Sequence, residues 1–124
     1  MLMLHGIQID LISEDRLDNM TSMEKVRLIL ENVKEGTIVV LEKGLDPEEQ
    51  STLIEYTMME ISPDGFSGIE METYPAKDGH EGLFTKLFGK KKGKDRRLTV
   101  IGPANQMRML KTESDFISAF VTSR

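Results

Sequence analysis

The chain has no cysteine, no tryptophan and only two histidines among its 124 residues. Without cysteine there is no disulfide, no thiolate nucleophile and no cysteine-ligated zinc or iron–sulfur centre. A metal centre needs three or four converging ligands. Asp78, His80 and Glu81 lie too close together in sequence to supply them, and His5 stands alone near the start. Neither a metal nor a cofactor is expected. Nucleotide binding is equally unsupported, because the sequence contains neither G-x-x-x-x-G-K-[ST] nor a G-x-G-x-x-G after a strand. No apolar run approaches the roughly 20 residues needed to span a membrane. The start, MLMLHGIQID, lacks the basic region and long apolar core of a secretory signal. A cytoplasmic protein is expected, since reduced compartments do not select for cysteine pairs.

What the chain does have is a charge contrast. From Lys86 to Arg97 it reads KLFGKKKGKDRR: Lys86, Lys90, Lys91, Lys92, Lys94, Arg96 and Arg97 against Asp95, a net +6. The whole chain is −5, so the remainder carries −11. Such asymmetry speaks to partners, not to fold. Leu83, Phe84, Leu87 and Phe88 precede the run as an apolar cluster at helical spacing. A solvated charge run and a patch that merely packs the loop down are the plainer readings. The functional reading is an anionic-surface site with apolar anchors. Each Lys or Arg near an anionic membrane adds about 1 kcal/mol, enough to hold a protein peripherally at the inner membrane surface. Nucleic acid is the alternative, through counterion release. Against it, the sequence shows no RNA-binding aromatic strand motif, and the remaining acidic surface repels phosphates.

The rest of the chain predicts an α/β domain spanning residues 1–124, with a mobile basic loop at 75–97. Ile7–Ile12 reads as a strand, with Ile7, Ile9 and Leu11 on one face, and Ser13–Met20 as a connector. Thr21 and Glu24 form a capping box for a helix whose buried stripe is Met23, Val26, Ile29, Leu30 and Val33. Gly36 closes it as a left-handed cap. Thr37–Leu41 reads as a central buried strand. Asp46 caps the next helix, with Pro47 first and Glu49 third, and Leu53, Ile54, Thr57, Met58 and Ile61 as its buried stripe. Ser62–Gly65 turns the chain into a strand over Phe66–Tyr74, with Glu70 and Glu72 on an exposed acidic face. Leu98–Ile101 is the last strand, ended by Gly102-Pro103, and Ala104–Leu110 and Ser114–Val121 read as short helices.

The order is β-α-β-α-β-β-α-α, a mixed four-stranded sheet packed by helices. Strands separated by helices are expected to run parallel, and the last two to form an antiparallel hairpin with the basic loop at its tip. Asp10, Glu42, Glu70 and Glu72 are the carboxylates that could meet at one sheet edge, but no catalytic constellation is legible, and the chain reads as non-enzymatic.

Three segments carry a resemblance: Met20-Thr21-Ser22-Met23-Glu24-Lys25, Pro63-Asp64-Gly65-Phe66-Ser67-Gly68-Ile69-Glu70, and Leu98-Thr99-Val100-Ile101-Gly102-Pro103. With them, from Gln8 to Arg124, the chain resembles the archaeal OapB/ArvB family, origin-associated protein B, a family of unknown function. The resemblance implies a context, not a reaction. Such proteins are grouped with a Ras-like small GTPase and a small zinc-ribbon protein, and tied to chromosome origins and membrane vesicles. The family offers no catalytic residues to carry over. An adaptor or regulator acting with a small GTPase is therefore expected, with the DNA- or RNA-binding accessory factor as the alternative.

Overall fold

The run Ile38–Leu41 has no polar position, and all four side chains are buried. It is the middle strand of the sheet in a computed structural model that describes residues 2–4, 7–75 and 97–113. In chain order the elements are β1 (Leu2–Leu4), β2 (Ile7–Ile12), α1 (Glu14–Asp18), α2 (Ser22–Lys34), β3 (Ile38–Leu41), α3 (Pro47–Glu60), β4 (Ile69–Pro75), β5 (Arg97–Pro103) and α4 (Ala104–Glu113). The mixed α/β fold is the expected one. Its sheet runs β1-β2-β3-β5-β4. The expected four strands are β2, β3, β5 and β4, and β1 adds a short antiparallel strand beside β2. β2 and β3 are parallel neighbours, and β5 lies antiparallel to both β3 and β4. β4 therefore runs in the direction of β3, but β5 is inserted between them.

Alternation sorts the side chains onto two faces. Val39 pairs with Ile101, and Ile101 with Met71, so these three share the first face. Ile12, Leu41 and Ile69 join them, and Val26, Ile29 and Val33 of α2 and Leu53 of α3 pack on top. On the second face Ile9, Ile38, Val40, Leu98 and Val100 are fully buried, and Met107 of α4 is nearly so. Gly102 allows α4 this approach. A Cβ there would stand 2.8 Å from Ile38 Cγ1 and 3.1 Å from Met107 Sδ.

Several sequence expectations need correction. Ser13–Met20 is not a plain connector. Ser13 accepts a hydrogen bond from Arg16 N at 3.2 Å and caps α1, which buries Leu17. Met23 is exposed, because the inward row of α2 begins at Val26. On α3 only Leu53 and Thr57 of the expected stripe are buried, while Ile54, Met58 and Ile61 face outward. The helix carries two adjacent apolar rows, and one of them meets the sheet. β4 starts at Ile69, not Phe66, and Glu70 and Glu72 are half-buried. α4 accounts for part of that cover, with Arg108 Nε 3.9 Å from Glu70 Oε1. Gly102 and Pro103 belong to β5, Pro103 pairing with Ile69. The helix expected over Ala104–Leu110 runs on to Glu113, and the helix expected over Ser114–Val121 lies outside the described residues.

Gly36 ends α2 as the sequence indicates, with φ +89° and its N–H donating to Val33 O at 3.1 Å. Gly36→Val should destabilise the fold by about 1–2 kcal/mol, because a β-branched residue resists positive φ. Urea unfolding measures this, and an unchanged midpoint would contradict it.

Candidate functional site

The β4–β5 hairpin positions the basic segment. Its register is unbroken from Ile69↔Pro103 to Pro75↔Arg97, so the two ends of segment 76–96 are held side by side. Arg97 is the first residue of β5. Lys86, Lys90, Lys91, Lys92, Lys94 and Arg96, and the anchors Leu83, Phe84, Leu87 and Phe88, lie outside the described residues. Asp78, His80 and Glu81 do too. Where the segment leaves the sheet is nevertheless fixed. Leu41, the last residue of β3, pairs with Thr99, which pairs with Thr73. Pro75 and Arg97 lie two residues further on. The segment therefore departs at the carboxyl end of the parallel strands β2 and β3, where α1 and α3 begin.

Acidic groups at this end are engaged in holding the chain together. Glu42 is buried, and its Oε1 accepts from Glu14 N at 2.7 Å, tying α1 to the end of β3. Lys43 pairs with Asp18 of α1, and this hydrogen bond holds the Lys43 ammonium above its ordinary range. Arg16 lies 4.0 Å from Asp10. The four carboxylates considered from sequence do not converge. Asp10 stands on the first sheet face at β2, Glu42 is bound to α1, and Glu70 and Glu72 lie on the second face of β4. Among the described residues no group of three or more His, Asp or Glu is placed to hold a metal ion.

Sequence reasoning missed one polar centre altogether. Glu49 of α3 is 3% exposed, and its Oε2 accepts from Lys25 Nζ at 3.0 Å and from Ser22 Oγ at 2.7 Å. Its Oε1 accepts from Asp46 N at 3.0 Å. Burial pushes this carboxyl up, but the donors Asp46 N–H, Ser22 and Lys25, with the Lys25 charge, outweigh it and hold the group below the ordinary range. This centre locks α2 to α3. Its only sequence trace is Glu49 at the third position of a capped helix, a signal that cap formation already explains.

A shallow groove of about 500 Å³ runs along α1 and α2, with Met20 and Leu28 in its lining. Arg16 and Arg27 are balanced there by Glu24 and Glu31, so it carries no net charge to select an anion. Among the described residues, the large apolar side chains that stand out to solvent lie mainly on α3: Ile54, Tyr56, Met58, Met59 and, just past its end, Ile61. No helix among the described residues is long and apolar enough to cross a membrane.

Comparison with known proteins adds one finding. No curated protein and no solved structure matches the chain. A family model described as "Origin-associated protein OapB" matches residues 17–122, from the buried Leu17 of α1 through both arms of the hairpin and beyond α4. With most of its length matched, the chain belongs to the OapB family.

Proposed function

We propose that this chain is a non-enzymatic adaptor or regulator that acts with a Ras-like small GTPase in archaea, with a zinc-ribbon protein as a further associate. Its basic segment, Lys86–Arg97, holds an anionic membrane surface on the cytoplasmic side, and Leu83, Phe84, Leu87 and Phe88 anchor it. The observation that carries this reading is the hairpin closure at Pro75↔Arg97, which delivers a segment of net +6 to one end of a body of net −11. A body of one sign and a segment of the other suit two different partners.

The family's description favours a second reading, because an origin is DNA. The same segment would then neutralise phosphates. Phe84→Ser with Phe88→Ser separates the two. Burying each phenyl ring contributes roughly 1.5–3 kcal/mol, so the double variant should float with anionic vesicles at least about tenfold less well. Its DNA gel shift should hardly change, because a phosphate backbone offers nothing for hydrocarbon to enter. Tight DNA binding without vesicle binding would establish the second reading. A GTPase pull-down with both nucleotide states completes the test, and no retention in either state would remove the adaptor reading.

A further inference from the structure

We propose that the outer flank of α3 is a docking surface for a basic amphipathic helix of a partner protein. Ile54, Met58 and Ile61 are 44%, 66% and 49% exposed. Their i, i+4, i+7 spacing stacks them in one row over about two helical turns, roughly 10 Å. The inward row of α3 is Glu49, Leu53 and Thr57. Glu49 and Glu60 reach Lys25 and Lys34 of α2, so α2 occupies one flank of α3 and the exposed row occupies the other. At the end of that row Ile61 Cδ1 lies 3.6 Å from where a Cβ on Gly68 would stand, against the start of β4. There Ile69 and Met71, half-buried on the same sheet face, continue the apolar surface onto the edge strand. Contiguous exposed apolar surface of this kind marks an interaction site, whereas scattered single residues do not.

Charge selects the occupant. α3 contains no Lys or Arg. Glu48 and Glu55, seven residues apart and both exposed, run along the solvent side of the row, and Asp64 follows just beyond it. An apolar row at i, i+4, i+7 fits a helix with matching anchors, and the acidic margin calls for Lys or Arg along that helix's edge. The same margin opposes an antiparallel two-fold dimer through this face, in which like acids would meet across the axis. The inference extends the adaptor reading by placing its protein-binding surface, and rests on that reading only in requiring a protein partner.

The probe is a fluorescent amphipathic helix of leucine and lysine, with a leucine–glutamate helix of equal length as control, titrated into the full chain. The lysine helix should bind, and the glutamate helix at least about tenfold more weakly. Ile54→Ser with Met58→Ser, which leaves the charge unchanged, should weaken lysine-helix binding about tenfold or more. Both positions are exposed, so the melting temperature should stay close to that of the parent. Glu48→Gln with Glu55→Gln should lose affinity and salt dependence together. Equal binding by the Ser variant and the parent would overturn the proposal. So would a concentration-dependent dimer that the Ser variant abolishes, since the surface would then belong to a second copy. A GTPase pull-down on the same proteins keeps the two readings apart. Loss of retention in the Ser variant makes the GTPase the occupant. Retention by neither parent nor variant, with the peptide result intact, defeats the adaptor reading alone.

Discussion

Lys25→Met should lower the stability of the folded chain by about 2–3 kcal/mol at neutral pH. Breaking a buried ion pair leaves an uncompensated charge, typically at a cost of 3–5 kcal/mol. Two features place this case at or below the low end of that range. Glu49 keeps its bonds from Ser22 Oγ and Asp46 N. A depression of about 100 Å³ lined by Ser22, Asp46 and Glu49 also lets solvent approach. The pH dependence carries the diagnosis. The Glu49 carboxyl is held below its ordinary value of 4.5, so its contribution is fully present above that value and is lost as pH falls through the folded pKa. In Lys25→Met the hydrogen bond and the charge of Lys25 are gone, so burial is opposed only by Asp46 N–H and Ser22, and the carboxyl takes up a proton at higher pH than in the parent. The difference between parent and variant should therefore be largest near neutrality and shrink as pH falls below about 4. Urea titrations at both pH values test this. A difference that is the same at both would show that Lys25 acts through packing of its methylene stem, not through its charge.

Reversing Lys90, Lys91 and Lys92 to Glu takes the segment Lys86–Arg97 from +6 to zero. Attraction of about 1 kcal/mol for each basic side chain near an anionic surface is then removed three times, and three repulsions are added. With about 1.4 kcal/mol per decade, vesicle affinity should fall by more than about a hundredfold. Flotation at two salt concentrations reads this directly, because the parent should respond to salt and the variant hardly at all. On the adaptor reading proposed above, retention by a small GTPase should survive, since the reversed residues lie in the segment between Pro75 and Arg97 and not in the body. If the reversal abolishes GTPase binding and leaves vesicle binding intact, the segment is a protein-docking element and the division of roles fails.

Local chemistry was legible in the sequence. Ile38–Leu41 announces a buried strand because no position in it is polar. Thr21 with Glu24, Pro47 after Asp46, and Gly36 mark helix ends through hydrogen bonds and φ preferences that act within a few residues. α1 was not legible, because five residues are too few to display a helical period. Nor was the orientation of α3. Leu53 with Thr57 and Ile54 with Met58 and Ile61 are two apolar rows of similar appearance. The choice between them is tied to Glu49 meeting Lys25, 24 residues away. The same distance hid the buried ion pair. For the basic segment, sequence gave its charge and its place between two strands, and the register added the end of the sheet from which it leaves.

The insertion of β5 between β3 and β4 also dictates when the sheet can close during synthesis. Val39 must wait for Ile101, roughly sixty residues downstream, before its outer backbone groups are paired. β2 and β3 can meet early, and α2 can settle on them, but until β5 arrives the growing chain presents Ile38–Leu41 as an open apolar edge. Such an edge templates pairing with other chains. A ribosome that stalls, or a protease that cuts, between the two arms of the hairpin releases a fragment with that edge exposed. The positively charged connection thus lies inside the interval over which the nascent chain is most prone to aggregate.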